Sequence, residues 1–82
     1  MPKLRRLNGR DVVSILEQFG FVLIATKGSH HRLRRMIGGV EQSISIPVHG
    51  SRSLNLKTLR SIYRQARQYI SEEDLREHFY TD

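Results

Sequence analysis

Four histidines are the side chains in this sequence best suited to proton transfer: His30, His31, His49 and His78. An imidazole titrates close to neutral pH, so it can act as a general base or a general acid. His30 and His31 are adjacent, and neighbours on a strand point to opposite faces, so they are poorly placed to chelate one metal ion. The sequence has no cysteine, which excludes a thiolate zinc site and a cysteine nucleophile. We therefore expect no metal and no cofactor.

Arginine dominates the charge of the chain. Fourteen Lys and Arg residues against eight Asp and Glu give a net charge of +6, and 11 of the 14 cations are arginine. The acids concentrate in residues 71–82, which carry a net charge of −4 and leave +10 on residues 1–70. Arginine is favoured where planar, bidentate contacts to phosphate are made. The charge therefore predicts a polyanionic partner, most simply a nucleic acid.

The central histidines are predicted to lie in the second of three short strands. The apolar, β-branched run at residues 21–27 follows a glycine, a Gly28-Ser29 turn comes next, and Gly38-Gly39 is a strong hairpin signal. The strands are expected over residues 21–27, 30–36 and 40–46, and their short connections predict an antiparallel meander.

Alternation along the second strand separates the two central histidines. His30 shares a face with Arg32 and Arg34, whereas His31 shares the other face with Leu33. Because Leu33 is the apolar residue in the middle of this strand, its face is expected to be the core face. His30 is then exposed among arginines, where it could deprotonate an RNA 2′-hydroxyl. It could equally donate a hydrogen bond to phosphate or be an ordinary surface residue.

Helices are predicted on both sides of the strands. The first spans about residues 9–19, with Asn8 as its N-cap, and the second begins near Asn55. A short acidic helix then runs to about residue 79. Apolar residues recur at helical spacing in the second helix: Leu56, Leu59, Ile62, Tyr63, Ala66 and Ile70. Cations form its other stripe: Lys57, Arg60, Arg64 and Arg67.

The predicted fold class is α+β. The order α-β-β-β-α, with a three-stranded antiparallel sheet covered by helices on one face, is similar to the double-stranded-RNA-binding-domain fold. We expect one domain over residues 1–82, with a core of about residues 8–70 and an acidic C-terminal helix over about 71–82. No apolar run approaches the roughly 20 residues of a membrane span, and no signal peptide is visible, so a cytoplasmic protein is expected.

Three segments resemble the HicA-type toxins. Gly28-Ser29-His30-His31 is similar to the "GSHH" segment of that family, and Ile46-Pro47-Val48-His49 is similar to its "VPxH" turn. Residues 56–66 resemble its "G-T-L-R-x-I-x-R-Q-A-G" helix, although Lys57 and Arg67 stand where that pattern has glycines. The three segments occur in the family's order, and the resemblance covers about residues 8–75.

The resemblance implies an mRNA-cleaving toxin with a double-stranded-RNA-binding-domain-like fold, silenced by a HicB-type antitoxin. It implies His30 as the catalytic histidine, with His31 as the fallback and with Gly28 and Ser29 shaping the turn. We expect the RNA backbone to contact a set of cations: Lys27, Arg32, Arg34, Lys57, Arg60 and Arg64. Two other functions stay open, a non-catalytic double-stranded-RNA-binding module and a basic protein-interaction subunit.

Overall fold

Three antiparallel strands in the order β2-β3-β4 form the central sheet of the computed structural model, which describes residues 2–81. The elements follow the chain as β1 (Lys3–Leu4), α1 (Gly9–Gln18), β2 (Val22–Lys27), β3 (His30–Ile37), β4 (Val40–Pro47), α2 (Leu56–Ala66), α3 (Glu72–Phe79) and β5 (Tyr80–Thr81). This architecture confirms the predicted α+β fold with its α-β-β-β-α order.

Side-chain capping fixes where α1 begins. The Asn8 Oδ1 accepts a hydrogen bond from the Asp11 backbone N–H at 2.8 Å, and an Asp11 carboxylate oxygen accepts one from the Asn8 N–H at 2.9 Å. This reciprocal pair satisfies two backbone donors that a helix otherwise leaves free. At α2 the cap is a single bond, in which the Asn55 Oδ1 accepts from the Thr58 N–H at 2.8 Å. The predicted N-termini of both helices are therefore confirmed.

The helices cover one face of the sheet, called the inner face here. Leu33, Ile44 and Ile46 from the sheet share one buried cluster with apolar residues of all three helices. The helical members are Val12, Ile15, Leu16, Leu59, Ile62, Tyr63, Ala66, Leu75 and Phe79. Leu56, the first residue of α2, was predicted to join the apolar stripe but is 51% exposed. No helix within residues 2–81 is long and apolar enough to cross a membrane.

A second, two-stranded sheet ties the two ends of the chain together. Lys3 pairs with Thr81 and Leu4 with Tyr80, antiparallel, and the Arg5 N–H donates to the Phe79 carbonyl at 2.7 Å. The sequence did not predict these two-residue strands. Leu7 before α1 and Leu75 and Phe79 within α3 are buried members of the same hydrophobic core.

Candidate functional site

The outer face of the sheet, opposite the helices, carries a row of cations beside a histidine. His30, Arg32 and Arg34 are exposed along β3, and the intervening Leu33 is buried on the inner face, which confirms the predicted alternation. Lys27 of β2 pairs with His30 across the strands. We call Lys27, His30, Arg32 and Arg34 the sheet surface.

The two arginines of the sheet surface extend from β3 toward β4, where their side chains form hydrogen bonds. Arg32 donates from Nε to the Ser43 hydroxyl at 3.1 Å, and Arg34 donates from Nη1 to a Glu41 carboxylate oxygen at 3.3 Å. The Arg34–Glu41 ion pair is 46% exposed on both sides, so solvent screens it and its contribution is small. A guanidinium has five N–H donors, so both arginines keep donors for a phosphate.

His30 stands where all three strands reach one end of the sheet. It follows the Gly28-Ser29 turn, in which Gly28 adopts the left-handed φ of +58° that favours glycine. The Ser29 carbonyl accepts a hydrogen bond from the Val48 N–H at 2.6 Å, and His30 pairs with Pro47 of β4. The turn is therefore fastened to the end of β4, which fixes the backbone that presents the His30 imidazole.

His31 lies on the inner face opposite Ile46 and is half-buried. Its Nδ1 is buried and has no hydrogen-bond partner among the described residues. A buried polar atom left in this state costs about 1–3 kcal/mol, and such atoms call for an explanation such as a catalytic role or a bound water. His31 therefore differs from His30 in exposure and in face, so separate substitutions can distinguish the two.

The cations of α2 form a different surface. Lys57, Arg60 and Arg64 are exposed, but α2 packs on the inner face, so they are not brought to the face that carries His30. Arg60 instead lines a surface cavity of about 390 Å³ with the chain ends, including Lys3 and Tyr80. We call Lys57, Arg60 and Arg64 the helix surface. The structure thus divides the six predicted phosphate-binding residues between two surfaces.

The other two histidines differ in their surroundings. His78 packs edge-on against the Phe19 ring, with centroids 5.3 Å apart, which indicates a structural role. His49 is exposed in the loop after β4, beside a cavity of about 300 Å³. Polar and apolar groups line that cavity: Pro47, His49, Arg52, Ser53, Leu54, Asn55 and Thr58. No group of three or more His, Asp or Glu side chains within residues 2–81 could hold a metal ion.

Gly9 supports the site in a way that the sequence analysis missed. A Cβ at this position would overlap the Pro47 carbonyl oxygen and lie 2.8 Å from Val48 Cγ2. The first turn of α1 therefore packs directly against the backbone that joins β4 to His49, and only glycine allows this approach. A glycine directly after a good N-cap was the available signal, although its spatial neighbour could not be read from the sequence.

Comparison with known protein families identifies the family of this chain. The profile of the family described as the HicA toxin of bacterial toxin–antitoxin systems matches residues 9–68, which run from the start of α1 past the end of α2. No curated protein and no solved structure matches the chain. The matched segment is well over half of the 82 residues and contains the whole sheet surface. The chain therefore belongs to the HicA family of toxins from bacterial toxin–antitoxin systems.

Proposed function

We propose that this toxin is an endoribonuclease that cleaves mRNA, with His30 as the general base. The observation that carries the proposal is the position of His30, exposed at the fixed end of β3 and in line with Lys27, Arg32 and Arg34. A base must reach the proton that it removes, and an exposed imidazole on a cationic face can meet an RNA backbone directly. Family membership supports a toxin that acts on mRNA.

The chemistry proposed for His30 is an internal transesterification. The imidazole accepts the proton of a 2′-hydroxyl, the 2′-oxygen attacks the adjacent phosphorus, and the bond to the 5′-oxygen breaks as an acid gives that oxygen a proton. The products are a 2′,3′-cyclic phosphate and a 5′-hydroxyl. Arg32 and Arg34 would stabilise the negative charge that develops on the non-bridging oxygens, since fixed cations at such positions lower the barrier. The proposed step uses no metal and no cofactor.

A HicB-type antitoxin is the proposed protein partner, and the cytoplasm is the proposed compartment. Family membership implies such a partner. The sheet surface is a ready target for inhibition, because a protein that covers it would block access of RNA to His30 without disturbing the buried core. Acidic side chains on the antitoxin would complement the charge of Lys27, Arg32 and Arg34.

Substitution of His30 tests the proposal. Loss of a general base typically lowers the rate about 10²–10⁴-fold, so His30→Ala is expected to abolish RNA cleavage and growth inhibition. The exposed position predicts a change in unfolding free energy within about 0.5 kcal/mol. His31→Ala is the matched control on the adjacent position. It is expected to change stability more than His30→Ala while retaining cleavage.

Three results would overturn the assignment: full activity in His30→Ala, activity lost only in His31→Ala, and cleavage that stops when a chelator is added. Analysis of the product ends should find the 2′,3′-cyclic phosphate. If purified protein binds RNA with a strong salt dependence but never cleaves it, the chain is instead a non-catalytic RNA-binding module.

A further inference from the structure

His49 is held beside the turn that presents His30. The hydrogen bond from the Val48 N–H to the Ser29 carbonyl extends the β3–β4 ladder by one residue pair beyond His30–Pro47. His49 follows in the loop after β4, and a ladder continued through Val48 would place it, like Pro47, on the outer face with His30. Diagonal neighbours of this kind on one face of a sheet lie about 7–8 Å apart.

The backbone around His49 is fixed on three sides. Val48 is buried in the core, and its N–H is bonded to Ser29. Gly9 of α1 packs against the backbone of the preceding two residues. On the far side the His49 carbonyl accepts a hydrogen bond from the Arg52 N–H at 3.1 Å, which closes a turn. An exposed imidazole on such a rigid segment can be positioned for proton transfer.

The proposed cleavage also needs an acid, because the departing 5′-oxygen must gain a proton. The arginines of the sheet surface cannot supply it, since a guanidinium does not release its proton in proteins. His78 packs against Phe19, the residue after α1, and His31 faces the core side of the sheet. His49 is the remaining imidazole, and it is exposed just beyond the end of the ladder at which His30 stands.

We propose that His49 is the general acid of the cleavage reaction, an inference that rests on the proposed role of His30. As the 2′-oxygen bonds to phosphorus and its proton passes to His30, the bond from phosphorus to the 5′-oxygen breaks and that oxygen takes a proton from the protonated His49 imidazole. His30 thus gains one proton and His49 loses one, and the phosphate charge is unchanged. The cavity of about 300 Å³ beside His49 offers room for the leaving nucleoside.

A substrate that needs no acid gives the decisive test. In an RNA whose scissile 5′-oxygen is replaced by sulfur, the leaving group is a thiolate, which departs without protonation because a thiol has a pKa of only about 8.5. His49→Ala is expected to slow cleavage of the oxygen substrate about 10²–10⁴-fold and to cleave the sulfur substrate at nearly the wild-type rate. His49→Gln should behave alike, and His78→Ala should cleave the oxygen substrate normally.

The outcomes separate this inference from the function on which it rests. If His30→Ala is slow on both substrates and His49→Ala is slow on oxygen alone, both roles stand. If His30→Ala cleaves both substrates normally, the proposed base is wrong and the inference about His49 falls with it. In a third outcome, His30→Ala is slow on both substrates, but His49→Ala is either equally slow on the two substrates or normal on the two. The base then stands, and His49 is not the acid.

Discussion

Arg35 is expected to hold the sheet and helices together, and its removal should destabilise the protein more than removal of any arginine of the sheet surface. Its guanidinium donates to Gln42 Oε1 at 2.6 Å, to the Phe19 carbonyl at 2.7 Å and to the Tyr69 carbonyl at 2.6 Å. It also lies 4.9 Å from the centroid of the Phe21 ring. Phe19 is the C-cap of α1, where a helix leaves carbonyl acceptors unpaired and where a cation is favoured, and Tyr69 lies in the turn that follows α2.

The expected magnitude follows from these contacts. A hydrogen bond to a charged group contributes about 1.5–3 kcal/mol, and a cation–π contact about 0.5–2 kcal/mol. The sum is an upper limit, because neighbouring contacts are not additive and water can reach carbonyls that become exposed. Arg35→Met keeps the packing of the aliphatic stem and removes the donors, so we expect it to lower the free energy of unfolding by about 3 kcal/mol.

Urea unfolding of Arg35→Met beside Arg34→Met is the assay. Arg34 is the matched control, one residue away on the same strand, and its exposed ion pair with Glu41 predicts a loss of about 0–1 kcal/mol. For a chain of this size, 3 kcal/mol corresponds to a fall in Tm of roughly 12–24 °C. If the two variants unfold at the same urea concentration with equal m-values, the clamp attributed to Arg35 is refuted.

Three further predictions concern the charged surfaces, the support of the site and alkaline pH. Charge reversal of both sheet-surface arginines should lower the cleavage rate and the RNA affinity, and should reduce the slope of log affinity against log salt by roughly one per lost phosphate contact. Charge reversal of Arg60 and Arg64 should weaken RNA binding alone. Unchanged affinity and slope in that second variant would remove the helix surface from the RNA interface. Gly9→Ala should lower the free energy of unfolding by about 1–3 kcal/mol and slow cleavage, because the added Cβ displaces the segment that carries His49. Arg10→Ala, at the exposed neighbouring position, should change neither quantity. Burial, followed by the charge of Glu72, raises the pKa of Tyr63 above 10.0. The stability that this shift contributes is therefore complete below about pH 10 and is lost as pH rises through the folded-state pKa. Tyr63→Phe should make the free energy of unfolding fall less steeply at alkaline pH, and an unchanged fall would contradict the assignment.

Local patterns were sufficient to predict the elements that carry the site. Helical spacing and N-cap residues located α1 and α2, and glycine pairs located the turns, because these signals depend on nearby residues alone. The parity of β3 was readable from one residue, since Leu33 is a central apolar side chain and strand faces alternate strictly. That parity correctly placed His30 on the exposed face and His31 on the inner face.

Features that depend on distant contacts were not readable. The strands β1 and β5 are two residues long, too short to show a periodic pattern, and they pair across nearly the whole chain. The cationic stripe of α2 was correctly predicted to be exposed. Spacing within a helix, however, does not show on which side of the sheet the helix packs. The separation of the sheet surface from the helix surface, and the fit of Gly9 against Pro47, required the assembled structure.

The fold separates the groups that provide stability from those proposed to do chemistry. Leu33, Ile44 and Ile46 point from the sheet into the core, whereas His30 and its cationic neighbours on β2 and β3 are exposed to solvent. Because strand alternation fixes both directions together, a well-packed inner face sets the direction of the side chains on the outer face. Substitutions on the outer face can therefore remove activity and leave the fold intact, and the same surface can be covered by an antitoxin without unfolding the toxin.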